Sequence, residues 1–336
     1  MKINKVLFPV LLLLILNACT SKNSIEEINN VGYAQGTTFN IKYLSHPSSN
    51  LKSSIDSLFL LVDLSMSTYN DSSLISKINV SDSFERVDEH FYNVLSKALL
   101  LSEESDGLFD VSIGALSNLW GFGLSKRSEV DSSMVDSAKN NIGYQKIQIK
   151  NSEVDIPPGM KLDFNSIAQG YTVDLIANFL EAKNVENYMV EVGGELRAKG
   201  KNSKNNIWRI GIDKPEENLD PENRLQAIIE LENSSLATSG NYRKFWLDPV
   251  TGQKFSHTIN PKSGYPAKNE LLSVSIIAPT AMEADGYSTM CMVLGLQKSI
   301  KLIESKNNLE AYLIFINEDD ELEVYTSEGF RNYLIN

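Results

Sequence analysis

Apolar residues recur at helical spacing in four stretches of the chain. In each stretch they are three or four residues apart, which places them on one face of a predicted helix. Two of the helix starts have the pattern of a capping box, Ser166 with Gln169 and Thr280 with Glu283. Gly107 is placed to end the second helix. The predicted helices are 51–64, 90–104, 167–180 and 280–296.

Short β-prone runs fill much of the remaining chain, mostly in its second half. They do not alternate regularly with helices, as the strands of a doubly wound fold would. The pattern therefore predicts an α+β fold with mainly antiparallel sheets and helices packed on them. The predicted strands are 31–43, 146–150, 160–164, 188–192, 195–198, 208–212, 226–231, 242–247, 254–258, 271–278, 311–316 and 322–325.

Length and charge narrow the classes of protein. The chain has 336 residues, of which 42% are hydrophobic, enough for one large domain or two closely packed lobes. Its net charge of −12 argues against nucleic acid as a partner, because nucleic-acid-binding proteins usually carry a basic face. An acidic protein that binds a phosphate ligand needs a local positive charge, and a bound divalent cation can supply it.

The first residues have the pattern of an export signal. Lys2 and Lys5 precede an apolar stretch that is too short to span a bilayer. The next four residues, Leu16-Asn17-Ala18-Cys19, resemble a bacterial lipobox, whose cysteine is lipidated and becomes the new N-terminus. An ordinary cleaved signal beside an incidental cysteine is the alternative. We predict an exported protein on the periplasmic side of a bacterial membrane, with a signal peptide at 1–18, a lipid on Cys19, a polar tether at 19–30 and one domain at 31–336.

Several familiar catalytic signatures are absent from the sequence. There are three histidines, without an HExxH or CxxC motif, which argues against a zinc site. There is also no GxGxxG, no P-loop and no GxSxG. Hydride transfer on a Rossmann fold, P-loop ATP hydrolysis and serine esterase chemistry therefore lack their usual motifs.

Six segments in order resemble the ApbE family of FAD:protein FMN transferases. Each segment alone is weakly specific, but the ordered set is specific and runs from about Val31 to the last predicted hairpin. The segments are Ser67–Asn70 with Ser76–Asn79, Gly107–Ser112 with Trp120–Gly123, Leu162–Tyr171, Val192–Glu195, Ser239–Arg243 with Ser256–Gly264, and Ala284–Thr289.

The resemblance implies a fold and an activity. The fold would be a single ApbE-like domain related to the T-fold. The activity would be Mg2+-dependent transfer of FMN from FAD to a Ser or Thr hydroxyl of a partner flavoprotein, with release of AMP. The acceptor would be a protein such as a subunit of a membrane redox complex.

Asp285 and Thr289 are the candidate metal ligands. They lie four residues apart on a predicted helix, so they share a face and offer a carboxylate and a hydroxyl to Mg2+. The alternative is that Thr289 bonds its own helix backbone and Asp285 only favours the helix N-terminal half. The resemblance assigns both to the metal and adds the backbone carbonyl of Ala168. That carbonyl falls in the first turn of a predicted helix, where it would normally accept a helical hydrogen bond.

Five residues are candidates for binding the flavin. Gly193 and Gly194 end a predicted strand and allow close approach to a ligand, although a plain turn would also explain them. By resemblance they lie against FAD, and Tyr69 stacks on the isoalloxazine unless it merely packs. Asp110 and Asp163 would bind flavin or shape the site, or else cap a helix or turn.

His257 is the candidate base. A lone histidine is often structural, but by resemblance this one lies in the active site, where it would deprotonate the acceptor hydroxyl or neutralise the pyrophosphate. The chain departs from the family pattern at three positions, with Gln169 for a common lysine, Asn260 for an aspartate and Ala115 for a proline.

Two alternatives to a transferase remain open. One is a Mg2+-dependent FAD pyrophosphatase with water as the acceptor, against which an aromatic residue at Tyr69 argues mildly. The other is a non-catalytic flavin-binding lipoprotein, against which the apparent metal-ligand pair argues, because simple binding would not require it.

Overall fold

The structure is a computed structural model, and it describes residues 25–81, 85–123, 130–216, 220, 223–241, 245–247 and 254–335. The predicted signal peptide and Cys19 lie outside these residues. Within the described ranges, no helix combines the length and the apolar character needed to cross a bilayer.

One large antiparallel sheet forms the centre of the fold. Its eight strands lie in the order β1-β2-β6-β7-β10-β13-β14-β15, and every neighbouring pair is antiparallel. The α+β prediction with mainly antiparallel sheets is confirmed. The strands are β1 (Glu26–Ala34), β2 (Thr37–Ser45), β6 (Tyr188–Val192), β7 (Glu195–Lys199), β10 (Ser234–Gly240), β13 (Leu271–Ala278), β14 (Glu310–Ile316) and β15 (Leu322–Thr326).

Helices cover one face of this sheet. Among them, α6 and α7 pack against each other, α6 against β6 and β7, and α7 against β10 and β13. The helices are α1 (Lys52–Met66), α2 (Leu74–Ile78), α3 (Glu89–Glu104), α4 (Gly114–Leu119), α5 (Ser132–Lys139), α6 (Ala168–Ala182), α7 (Ala281–Leu294) and α8 (Leu296–Glu304).

Strand β13 is buried on both faces, including its two serines, Ser273 and Ser275. Val274 and Ile276 join the core beneath the helices, whereas Ile277 joins a second core on the other face. A hairpin closes this second core with Trp208 and Ile229. The smaller sheets are β8 (Trp208–Asp213) with β9 (Leu225–Leu231), β11 (Phe245–Leu247) with β12 (Lys254–Ser256), and β3 (Glu85–Arg86) and β4 (Gln148–Lys150) on either side of β5 (Glu153–Asp155).

The N-terminal prediction was wrong in two details. The segment 31–43 is not one strand, because Gln35 and Gly36 have φ of 52° and 74° and form the two-residue turn between β1 and β2. Strand β1 also begins at Glu26, so the last residues of the predicted tether belong to the sheet.

Three other predictions also need correction. The segment 160–164 forms only a single parallel bridge, Lys161 with Ile113, because the side-chain amide of Asn79 bonds both the N–H and the carbonyl of Leu162. The predicted helix 280–296 ends early, because Gly295, at φ 79°, interrupts it after Leu294, and α8 begins at Leu296. Ser166 does not cap α6, whose N-cap is Ile167 and makes no side-chain cap bond.

Candidate active site

The two helices that carry the candidate metal ligands touch at Gly170 of α6. A Cβ placed on Gly170 would lie 2.3 Å from the carbonyl oxygen of Ala281 and 2.8 Å from Cβ of Asp285, both on α7. These distances are shorter than real Cβ contacts, so only glycine allows this approach. The close contact brings the N-terminal turns of α6 and α7 together.

Asp285 lies at this contact and is 5% exposed. Its Oδ2 accepts a hydrogen bond of 3.0 Å from the backbone N–H of Gly170. Burial raises the pKa of the Asp285 carboxyl, and the hydrogen bond from Gly170 opposes that rise. A cation bound beside the carboxylate would offset the cost of burying its charge.

Thr289 is one helical turn further along α7, and its hydroxyl is held by the sheet. Its Oγ1 lies 3.3 Å from Oγ of Ser239, which is also 2.8 Å from Oγ of Ser288. Ser239 belongs to β10, so the sheet fixes the position of the second candidate ligand.

Ala168 lies in the first turn of the helix, as the sequence predicts, although α6 begins at Ala168 itself and not at Ile167. Its carbonyl oxygen accepts a hydrogen bond of 2.8 Å from the hydroxyl of Thr172, which in turn accepts one of 2.9 Å from Nε2 of Gln35. As the first residue of α6, Ala168 also offers this oxygen to the helical N–H of Thr172, so a cation at this carbonyl would take the place of the Thr172 hydroxyl.

The donor types suit Mg2+. Carboxylate, hydroxyl and carbonyl oxygens are hard ligands, and Mg2+ usually takes few ligands from the protein and the rest from water and phosphate. Across the described segments, no three His, Cys, Asp or Glu side chains are grouped to hold a metal. The candidate set contains a single carboxylate beside a hydroxyl and a backbone carbonyl, so it differs from sites built of three or more such side chains.

Gly193 and Gly194 form the turn between β6 and β7 and have φ of 69° and 113°, which L side chains rarely adopt. A Cβ on Gly193 would lie 3.1 Å from Nε2 of Gln169, so this turn lies beside the start of α6. A Cβ on Gly194 would meet no atom within 4 Å, so the backbone there faces open space. The turn is therefore placed where a ligand could approach it.

A cavity of about 320 Å³ is lined in part by the segment that leads into α6. Asp163 lines it and precedes Ala168 by five residues, which connects the cavity to the start of α6. Asp163 is buried, its Oδ1 accepts from the N–H of Asn165, and burial raises its pKa. The lining residues are Thr68, Asp71, Ser76, Asn79, Val80, Gly114, Asn118, Gly123, Lys161, Leu162 and Asp163.

Tyr69 lies between two residues of the cavity lining, Thr68 and Asp71, and is 65% exposed. Partial burial and then the charge of Asp163 raise the pKa of its hydroxyl. An exposed ring beside a cavity is available for stacking, and the contact of Tyr69 with flavin stays a prediction.

We expect Tyr69→Ala to raise the FAD dissociation constant by about an order of magnitude. Aromatic stacking contributes roughly 0.5–1.5 kcal/mol beyond the area it buries. Tyr69→Phe is the matched control, because it keeps the ring and should keep the FAD affinity. Titration of FAD fluorescence measures both variants, and equal dissociation constants for Tyr69→Ala and the wild type would remove Tyr69 from the flavin site.

His257 follows β12 by one residue, rather than lying inside the strand as predicted. Its ring packs edge-on against Phe122, with 6.4 Å between the centroids. The hydroxyls of the flanking Ser256 and Thr258 donate to Oδ1 of Asn241, at 2.7 and 3.2 Å. Asn241 comes two residues after Ser239 on the chain, so the end of β10 connects the His257 segment to Thr289.

Asp110 is buried elsewhere, and the interpretation as a turn cap fits its contacts. Its Oδ1 accepts from the N–H and the hydroxyl of Ser112 at 2.9 and 2.6 Å. Its Oδ2 accepts from the N–H of Tyr144 at 3.0 Å. Asp110 is not among the residues that line the cavity, and its contact with flavin stays a prediction.

Sequence reasoning missed Asp174 of α6. Its carboxylate accepts from the first two N–H groups of α7, Ala281 at 3.0 Å and Met282 at 2.9 Å, and from the guanidinium of Arg197 at 3.1 Å. The signal was available, since an aspartate between Val173 and other apolar residues of a buried helix needs a partner.

Comparison with known proteins identifies the family. The model of the ApbE family matches residues 35–313, most of the chain. The chain belongs to the ApbE family. The resemblance seen in the sequence is thereby confirmed, and the matched range includes the α6–α7 contact, the Gly193–Gly194 turn and His257.

Relatives in the ApbE family align with nearly the whole chain. A Haemophilus influenzae protein named FAD:protein FMN transferase is 36% identical, over 97% of this chain and 96% of its own. A Vibrio cholerae protein of the same name is 35% identical over 96% of each.

Solved ApbE structures have the same fold. The flavin transferase ApbE from Vibrio cholerae superposes with a TM-score of 0.82 at 34% identity, covering 93% of this chain and 100% of that one. The Pseudomonas stutzeri flavinyl transferase ApbE superposes with a TM-score of 0.79 at 30% identity, covering 92% of this chain and 98% of that one.

Proposed function

We propose that this chain transfers FMN from FAD to a Ser or Thr hydroxyl of a partner protein, with Mg2+ as cofactor and AMP as the second product. The α6–α7 contact carries the proposal, because it places the Asp285 carboxylate against the first turn of α6, which Ala168 begins. Relatives at 36% and 35% identity that are named FAD:protein FMN transferase support the transfer of FMN from FAD to a protein.

Asp285, Thr289 and the carbonyl of Ala168 would hold the metal. Bound there, Mg2+ supplies positive charge to the pyrophosphate and to the departing AMP. The acceptor hydroxyl attacks the phosphorus of the FMN half, a new P–O bond forms, and the anhydride P–O bond to AMP breaks. His257 takes the hydroxyl proton or neutralises the pyrophosphate.

The chain's own residues mainly bind and orient the reactants. The cavity with Tyr69 and Asp163 would take the flavin, and the open side of the Gly193–Gly194 turn leaves room for the remainder of FAD. The reaction needs no protein nucleophile. Cys291 is fully buried, and burial raises the pKa of its thiol to about 12, so this thiol does not fit that role.

One incubation tests the activity against both alternatives. Purified protein is mixed with FAD and Mg2+, with and without a peptide that contains Ser and Thr, and AMP and peptide-bound flavin are measured. A transferase makes AMP together with flavinylated peptide only when the peptide is present. AMP and FMN without peptide would mean a pyrophosphatase, and neither product in either sample would mean a flavin carrier.

We further propose that the protein is exported and held at a membrane through a lipid on Cys19. The lipobox-like Leu16–Cys19 that follows a charged and then apolar start supports this. Such an anchor would bring the enzyme to acceptors in membrane redox complexes.

Cys19→Ala should move the protein from the membrane fraction to a soluble or uncleaved form, because the thiol that carries the lipid is gone. Fractionation of cells that produce the wild type or the variant, followed by immunoblotting, measures this. Cys291→Ala is the control for loss of a thiol and should stay with the membrane. Processed, membrane-bound Cys19→Ala would exclude the anchor.

A further inference from the structure

We infer that Asp174 is a positioning residue for the metal site, a role that rests on the proposed function. The observation is a reciprocal pair of carboxylate-to-amide bonds between α6 and α7. Asp285 on α7 accepts from the N–H of Gly170 on α6, and Asp174 on α6 accepts from the N–H groups of Ala281 and Met282 on α7.

The two carboxylates bind α6 and α7 to each other at two separate points of the helix contact. Asp174 follows Gly170 by four residues, and Asp285 follows Ala281 by four. Each aspartate therefore lies one helical turn along its own helix from the residue that donates to the other aspartate. Asp174 is one turn from Gly170, which donates to Asp285, and Asp285 is one turn from Ala281, which donates to Asp174. Two such points resist both sliding and rotation of α7 along α6, which a single hydrogen bond cannot do.

This restraint acts on candidate ligands that come from different helices. Ala168 belongs to α6, whereas Asp285 and Thr289 belong to α7. A cation that binds all three needs the two helices in one register, because Mg2+ tolerates little departure from its preferred geometry. Asp174 touches none of these three residues in its hydrogen bonds and would act on the metal only through the position of α7.

Asp174 is itself held in place. It is 7% exposed, and the guanidinium of Arg197 of β7 donates to its Oδ1. The same guanidinium also donates to Asn178 and Glu181 of α6. Burial raises the pKa of Asp174, while the two backbone N–H groups and Arg197 oppose that rise. The charge is thus shared between a helix N-terminus, which favours an anion, and a guanidinium.

Glu181 offers a matched control on the same helix. It shares Arg197 with Asp174, but its other bonds run to the hydroxyl of Tyr188 at 2.6 Å and to Nζ of Lys199 at 3.3 Å. Loss of the Glu181 charge disturbs the same ion-pair network, but the N–H groups of α7 keep Asp174 as their acceptor. A merely structural role for the network predicts equal effects of the two substitutions on metal binding.

The test is a Mn2+ titration of FAD-free protein, followed by the electron paramagnetic resonance of free Mn2+. Asp174→Asn places an amide NH2 against a backbone N–H of α7, and we expect its Mn2+ dissociation constant to rise at least about tenfold, as for other residues that orient metal ligands. Glu181→Gln should keep the wild-type constant. Asp174→Glu, which keeps the charge but displaces it by one methylene, should give an intermediate constant and serves if Asp174→Asn does not fold.

The outcomes separate this inference from the proposed function. Loss of Mn2+ binding in Asp285→Ala with wild-type constants in folded Asp174→Asn or Asp174→Glu would overturn the positioning role alone. Equal weakening in Asp174→Asn and Glu181→Gln would also overturn it. Wild-type Mn2+ binding by Asp285→Ala would overturn the metal site of the proposed function and the positioning role together.

Discussion

Asp285→Ala should nearly abolish FMN transfer while the protein remains folded. Asp285 would contribute the one carboxylate among the candidate ligands, and Mg2+ supplies roughly several kcal/mol of charge stabilisation, which corresponds to at least about a hundredfold in rate. The measurement is the formation of fluorescent, peptide-bound FMN across a Mg2+ titration. Transfer at the wild-type rate at low Mg2+ would contradict the assignment.

Asp285→Asn separates the charge from the shape of the side chain. The amide keeps an oxygen that can accept from the N–H of Gly170, so the helix contact should persist. Because burial disfavours the charged form of Asp285, the neutral variant should unfold at an equal or higher urea concentration than metal-free wild type. Its transfer rate should nevertheless fall nearly as far as that of Asp285→Ala.

Thr289→Val provides the graded comparison. It removes a neutral hydroxyl that the sheet holds through Ser239, so we expect a smaller loss of rate and a higher Mg2+ concentration for half activity. EDTA should abolish FMN transfer by the wild type, and added Mg2+ should restore the transfer. Activity that is indifferent to EDTA would exclude a metal from the reaction.

Elements with a clear hydrophobic signal were predictable from the sequence. Strands β6 and β13 have the predicted bounds, because both are rich in β-prone apolar residues and have flanking residues that end them. Strand β10 was missed, since the sequence Ser-Ser-Leu-Ala-Thr-Ser-Gly has no apolar alternation and a single β-branched residue, Thr238. Its burial comes from its place between β7 and β13, which no local pattern reveals.

The site was predictable only as far as local spacing and family resemblance reach. Asp285 and Thr289 share a helix face, so their proximity follows from a spacing of four residues. The bond from Ala281 to Asp174 joins residues 107 apart, and the bond from Gln35 to Thr172 joins residues 137 apart. Such contacts depend on how the elements pack, so the residues that orient the ligands emerged only from the structure.

Gly170→Ala should damage the metal site through packing, although it changes no candidate ligand. The new Cβ would lie 2.3 Å from the backbone oxygen of Ala281, which cannot rotate away, so α6 and α7 must separate. Overpacking of this kind costs about 1–3 kcal/mol, more than the helix preference for alanine of about 1 kcal/mol returns. We expect a lower urea midpoint and a Mn2+ dissociation constant raised at least about tenfold, because the N–H of Gly170 would leave Asp285. Gly286→Ala is the control, since the one contact of its Cβ shorter than 3.4 Å would be with the terminal Cδ1 of Leu101 at 2.4 Å, which can turn aside, and Mn2+ binding should be preserved. An unchanged Mn2+ constant in Gly170→Ala would show that the metal site does not depend on the close approach of the two helices.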